Sequence, residues 1–182
     1  MIVTQYTGNA WRLHDQGFFL VIPTNVYVKS DRRAVMGRGL AEQAAISWPD
    51  VTSFYGELLL SFVRPGLPPG KQPKMDDLDE FGLIQADLER KLIFLPTKLA
   101  WGDPAVPELI EKSLIGLKGW LKGHPGVEKV VLPRIGAGNG HLDWETVVKP
   151  LVRVFLESLD EKTRDKLVIV HPAEYLKGMR VE

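Results

Sequence analysis

The chain contains no cysteine. That absence removes disulfides, thiolate nucleophiles and cysteine-ligated zinc together, and it is compatible with a reducing compartment. Charge of one sign is also not in excess. The 23 Lys and Arg balance 23 Asp and Glu over 182 residues, so no overall positive field draws in nucleic-acid phosphates. A general DNA-coating role is disfavoured, although a local basic patch stays open, with residues 29–38 as the candidate. Long hydrophobic runs are missing too. The apolar stretches at 18–23 and 129–133 fall far short of the roughly 20 residues that a membrane helix needs. The opening MIVTQYTGNAW has no basic start, apolar core or small-residue cleavage site, so no signal peptide is read there. These absences predict a soluble cytoplasmic protein with no membrane partner. His14, His124, His141 and His171 lack metal-ligand spacing. No metal or other cofactor is expected. No serine sits in a Gly-x-Ser-x-Gly elbow.

What is present is a globular composition, 45% hydrophobic and 25% charged, in a chain long enough to form one domain with a substantial core. We expect a single domain over 1–182. Residues 2–6 predict a strand, broken by Gly8-Asn9. The run Phe18-Phe19-Leu20-Val21-Ile22, ending at Pro23, predicts a strand buried on both faces. Residues 25–34 are polar and irregular. From Gly39, Leu40, Ala44 and Trp48 recur at helical spacing until Pro49, and Asp50 is placed to cap a second helix through Leu60. Residues 64–80 hold four prolines, two glycines and an acidic cluster, which predicts a loop or excursion. The acidic run at 76–80 lacks the glycine and spacing of a calcium loop.

Two short apolar runs at 83–86 and 92–95 predict paired strands. Val106, Leu109, Ile110, Leu114, Leu117 and Leu121 fall on one face of a helix over 104–122, stopped by Gly123 and Pro125. A strand over 127–132 leads into a glycine-rich stretch at 134–141. Asp143 can cap a turn of helix, and Pro150 suits the first turn of a helix running to Leu159. Residues 167–170 predict a last strand. This alternation predicts a three-layer α/β domain around a mixed sheet.

Ligands of such sheets bind beyond the carboxyl ends of the strands. Three polar or glycine-rich stretches directly follow apolar strands: Pro23-Thr24-Asn25 leading to Val35-Met36-Gly37-Arg38-Gly39, then Pro96-Thr97-Lys98, then 133–141. Gly136, Gly138 and Gly140 leave backbone N–H groups uncovered for an anion, and Gly37 and Gly39 offer a second such surface. Two facing glycine loops suit a diphosphate with a sugar on either side. Neither loop is a Rossmann or P-loop fingerprint, and each can equally be a tight turn requiring positive φ. Lys98 is either a solvated charge or an amine held near a cleft, able to lower its pKa or attack a sugar carbon. Asn25 can donate to and accept from a ribose, or serve as a turn residue. Trp101 can stack on a ligand or simply pack.

Together, Val35-Met36-Gly37-Arg38-Gly39-Leu40-Ala41, Phe94-Leu95-Pro96-Thr97-Lys98 and Leu132-Pro133-Arg134-Ile135-Gly136-Ala137-Gly138-Asn139-Gly140-His141-Leu142-Asp143-Trp144 resemble the macrodomain family. The likeness is strongest to the branch of terminal ADP-ribose protein glycohydrolase and the antitoxin macrodomains that remove ADP-ribose from DNA. It covers nearly the whole chain. The resemblance implies an α/β/α fold with ADP-ribose along the strand ends. Met36, Gly37, Arg38 and Gly39 on one side, and Arg134, Gly136, Ala137, Gly138, Asn139 and Gly140 on the other, would hold the diphosphate and distal ribose. It implies Lys98 as the catalytic lysine, Asn25 beside the distal ribose, and Asn9 accepting from the adenine amino group where many members have aspartate. The expected activity is hydrolysis of an ADP-ribosyl bond on DNA or protein. A non-catalytic ADP-ribose reader or an ADP-ribose-1″-phosphate phosphatase are the alternatives. Three departures stand out. The segment between Asn25 and Met36 is longer than the family pattern, and residues 64–74 have no family role. The aspartate in the last loop of the protein glycohydrolase falls on Gly140 here, which favours the DNA-reversing pattern.

Overall fold

The two longest strands, β2 (Phe19–Asn25) and β4 (Leu92–Lys98), lie parallel and side by side in the interior of the sheet. The computed structural model describes residues 3–173; Ile2, the expected start of the first strand, lies outside the described residues. With β1 (Thr4–Thr7), β3 (Gln85–Asp87), β5 (Val130–Leu132) and β6 (Leu167–His171), the sheet has the order β1-β6-β5-β2-β4-β3. Every pairing is parallel except β3 with β4. The sheet is therefore mixed, and helices cover both faces.

Strand alternation distributes the apolar residues between two cores. Leu20, Ile22, Leu92 and Phe94 face α1 (Ala10–Asp15), α2 (Gly39–Ser47) and α3 (Val51–Leu58). Val21, Ile93 and Leu95 face α4 (Pro107–Gly123) and α5 (Lys149–Glu157). All seven strand residues are fully buried, each contributing about 1.5–3 kcal/mol by leaving water. Tyr55 of α3 stacks on Phe94 with centroids 4.2 Å apart, and its hydroxyl meets Thr24 Oγ1 at 2.7 Å. That contact ties α3 to the end of β2. The result is a three-layer α/β/α fold.

Several elements differ from the sequence expectation. β2 does not stop at Pro23 but runs through it to Asn25. Leu20 N–H points to β4 and Phe19 N–H to the β5 side, so alternation turns position 23 toward β5, whose recorded pairing covers only Phe19 and Leu20. The missing N–H therefore removes no ladder bond. Gly8-Asn9 is not merely a break. Asn9 Oδ1 accepts from Trp11 N–H at 2.9 Å and starts α1. Asp50 makes no side-chain cap to α3; its carboxylate instead accepts from Arg90 at 2.6 Å. The helix continues past Leu60 as a π turn, Leu59–Val63.

Asp143 does cap, accepting from Thr146 N–H and Oγ1 at 2.9 and 2.7 Å, and the π turn Trp144–Val148 leads into α5 with Pro150 in its first turn. A short helix α6 (Glu161–Arg164), capped by Asp160, had no sequence signal strong enough to read.

Residues 64–82 are organised by a side chain. Arg64 is fully buried and donates to the carbonyls of Val26, Leu67 and Pro68 at 3.1, 3.2 and 2.6 Å. Burial pulls its pKa below the ordinary arginine range, against the opposing influence of Asp77 and Tyr27. The proline-rich stretch is thus wound around one guanidinium that also holds the residue following Asn25. No helix among the described residues is long and apolar enough to cross a membrane.

Candidate functional site

The register between β2 and β4 slips after Thr24, so that Asn25 stands opposite Lys98, and Val26 N–H donates to the Lys98 carbonyl at 3.1 Å. Asn25 is buried and committed at both ends. Its Nδ2 donates to the Val35 carbonyl at 2.9 Å, and its Oδ1 accepts from Tyr27 N–H at 3.1 Å. The side chain thereby closes the long excursion at 26–35. That excursion pairs Val28 with Ala34 and turns at Arg32, which has φ 73°. It docks on α3 through Ala34 N–H to Thr52 O at 2.9 Å and a two-pronged Arg32–Glu57 pair at 2.7 and 2.8 Å. Gly56 is needed there because any Cβ would run into the Arg32 carbonyl. Lys29 and Arg33 both lie within ion-pair distance of Asp31. Within 29–38 Lys29 and Arg33 thus share one carboxylate and Arg32 is paired with Glu57, so the stretch keeps a net positive charge. Arg38 is its member that lines the cleft.

Lys98 reaches across the cleft and donates from Nζ to the Asn139 carbonyl at 2.7 Å. Burial, and then the charge of Arg38, pull its pKa below the ordinary lysine range, while Asp103 opposes them. Both effects enlarge the fraction of neutral, nucleophilic amine at a given pH.

The cleft around Lys98 is about 220 Å³ and is walled by Asn25, Gly37, Arg38, Trp101, Gly138 and Asn139 among others. A second cavity of about 690 Å³ adjoins it, reaching Asn9, Gln43, Ala137 and Trp144. Leu40, Pro133, Arg134 and Gly138 line both, so the two form one groove. Arg134 donates from Nε to His171 Nδ1 at 2.9 Å and lies 5.0 Å from the Trp144 ring centre. With Nδ1 accepting, the ring proton sits on Nε2 and is donated to Gln5 Oε1 at 2.7 Å. Burial and then Arg134 lower the His171 pKa, which favours this neutral form. Met36 is buried in the core and lines neither cavity, and His141 is an exposed turn residue with φ 61°.

The glycines divide by what requires them. Gly39 and Gly136 have φ of 61° and 74°. A Cβ at Gly39 would come within 3.1 Å of Asn139 Nδ2, and one at Gly136 within 2.6 Å of Ile110 Cδ1. Gly140 is pressed on the Gly136 carbonyl. For these three the turn and the packing explain the residue. Gly37 and Gly138 are different: neither has positive φ, a Cβ at 37 would make only ordinary contact with Trp101, and nothing lies within 4 Å of one at 138. Their bareness leaves room in the groove. Among the described residues, no group of three or more His, Asp or Glu is placed to hold a metal ion.

No family model matches the chain. A DNA ADP-ribosyl glycohydrolase of Mycobacterium tuberculosis is 31% identical over 126 residues, which is 69% of this chain and 33% of that protein. The chain thus spans about a third of the length of the curated relative it matches. Among solved structures, the macrodomain of M. tuberculosis DarG matches with TM-score 0.66 and 24% identity, covering 94% of this chain and 98% of that one. The macrodomain of Thermus aquaticus DarG matches with TM-score 0.65 and 25% identity over 93% and 97% of the two chains. Thermosipho africanus DarTG in complex with ADP-ribose matches with TM-score 0.62 and 20% identity over 94% and 42%.

The chain is a macrodomain. It is related to the DarG branch, and its departures from the wider family can now be given a structural reason. This macrodomain has no space for a side chain at 140, because any Cβ there would collide with the Gly136 carbonyl. A carboxylate that does act on Lys98 is Asp103, on the loop after β4. The long segment at 26–35 is folded onto α3 rather than left across the groove. Sequence reasoning did not single out Arg64, His171 or Asp103. An arginine in a proline-rich loop and a histidine at a strand end carry no signal of burial, and Asp103 reads as an ordinary loop acid.

Proposed function

We propose that the groove binds ADP-ribose and that the macrodomain hydrolyses an ADP-ribosyl bond on a nucleic-acid base or a protein side chain. The observation that carries this reading is Lys98: an amine with a depressed pKa, beside Asn25, where two glycine loops meet. The adenosine would lie in the larger cavity near Asn9, whose amide oxygen keeps a second lone pair for the adenine amino group. The diphosphate would pass between residues 37–39 and 134–140, over Gly37 and Gly138. The distal ribose would then reach Asn25 and Lys98.

In that pose the neutral Lys98 amine can attack the ribose C1. The bond to the departing group breaks with its electron pair, and the leaving atom takes up a proton. Water then displaces the amine, releasing ADP-ribose. Alternatively, Lys98 removes a proton from a water that attacks C1 directly. Support also comes from the relatives: the M. tuberculosis protein is named a DNA ADP-ribosyl glycohydrolase, and the T. africanus structure carries ADP-ribose.

The hydrogen bond from Lys98 to Asn139 favours a second reading, in which the lysine only clamps two loops of a non-catalytic reader. Release of ADP-ribose from an ADP-ribosylated oligonucleotide and from an ADP-ribosylated protein separates the two. Turnover by the wild type, lost in Lys98→Ala with ADP-ribose binding retained, is expected. Full turnover in Lys98→Ala would remove the lysine from the mechanism. Binding without turnover of either substrate would leave a reader.

A further inference from the structure

Trp101 is an aromatic residue without a place in either core. It sits three residues beyond Lys98, lines the same cavity, and is 48% exposed. Its indole Nε1 lies 3.6 Å from where a Cβ on Gly37 would be, and the Arg38 guanidinium stands 5.1 Å from the ring centre. Leaving a tryptophan this open forgoes much of the burial free energy that such a side chain usually contributes. The Arg38 cation–π contact, modest at an exposed site, holds the ring at the cleft.

The direction of the groove decides what the ring can meet. Trp101 and Lys98 line the small cavity and not the large one, whereas Asn9 and Trp144 line the large one. In the pose above, the group on C1 of the distal ribose lies in the small cavity that Trp101 walls together with Lys98. We propose that Trp101 and Arg38 form a stacking subsite for a planar base joined to the distal ribose, and so favour base-linked over side-chain-linked substrates. The proposal rests on the ADP-ribose reading above. A flexible carboxylate side chain offers no flat face to an indole. A nucleobase does, and base–aromatic stacking tolerates any base because each has a π face. Arg38 supplies positive charge for the flanking phosphates.

The test measures affinity in a Lys98→Ala background, so that ligand is not consumed. The ligands are free ADP-ribose, a single-stranded oligonucleotide ADP-ribosylated on one base, and the same oligonucleotide unmodified. With Trp101 intact, the modified oligonucleotide should bind about ten-fold tighter than ADP-ribose. Trp101→Ala should remove that advantage, weakening the modified oligonucleotide about ten-fold more than ADP-ribose, and Trp101→Phe should keep most of it. Equal loss for both ligands, or an advantage that survives Trp101→Ala, would overturn the subsite. Failure of free ADP-ribose to bind at all would overturn the ADP-ribose reading itself, and the subsite with it.

Discussion

Asn25 and Lys98 are brought level at the ends of adjacent parallel strands by a register slip after Thr24. Continued from Thr24 opposite Pro96, the unbroken register would set Asn25 against Thr97. Because side chains alternate along a strand, that one-residue slip decides which side chain stands beside Asn25 at the mouth of the groove. Asn25 does not stand idle there, since its amide also holds Tyr27 and Val35. Asn25→Ala is therefore expected to lose turnover and also about 1–3 kcal/mol of stability, from the two backbone groups left without partners. Denaturant titration alongside ADP-ribose release checks both. Loss of turnover at unchanged stability would mean that the closing of residues 26–35 does not depend on this side chain.

The depressed Lys98 pKa gives a pH dependence with a definite sign. If the free amine acts, turnover rises with pH and levels off below the range of an ordinary lysine, about 10.4. Asp103 works against the depression. Asp103→Asn should therefore move the rising limb to lower pH. A pH–rate profile for the two proteins checks this, and a limb that moves upward would contradict it.

Gly138 and Gly140 lie two residues apart and should respond oppositely to alanine. At 140 the new Cβ meets the Gly136 carbonyl, and overpacking of that kind costs about 1–3 kcal/mol. At 138 there is open space, so stability holds while ADP-ribose affinity falls, because the methyl occupies the groove. Thermal melts with and without ADP-ribose distinguish the two. A Gly138→Ala protein that binds normally would mean that the diphosphate does not pass there.

Much of this site was legible because its parts follow runs that read clearly. The apolar segments of β2 and β4 identify the central strands, and the glycines after Val35 and Arg134 announce tight backbone at their ends. What was illegible depends on contacts between distant residues. Pro23 reads as a stop, and only the shortness of β5 lets the strand pass through it. Asp50 reads as a helix cap, but Arg90, 40 residues later, takes its carboxylate. Asn25 and Val35 are expected at one site, but the side-chain hydrogen bond that ties them together has no sequence signal. Trp101 reads equally as core or ligand contact, and only its exposure beside Arg38 separates the two.

Arg64 shows the same point in the core. Its donors satisfy two carbonyls inside the proline-rich stretch and that of Val26 just past the end of β2. Arg64→Met keeps most of the volume but strands those carbonyls, so a loss of about 3 kcal/mol is expected. Because one of them belongs to Val26, next to Asn25, turnover should fall along with the melting temperature. A variant as stable as wild type would show that water replaces the guanidinium.

The central claim is that the groove at the ends of β2, β4 and β5 is an ADP-ribose site. Isothermal titration of the unmodified protein with ADP-ribose and AMP tests it most directly. The account predicts saturable one-to-one binding of ADP-ribose, clearly preferred over AMP, because AMP has neither a diphosphate to lie between the loops nor a distal ribose to reach Asn25 and Lys98. No detectable ADP-ribose binding, or equal binding of the two, would contradict it.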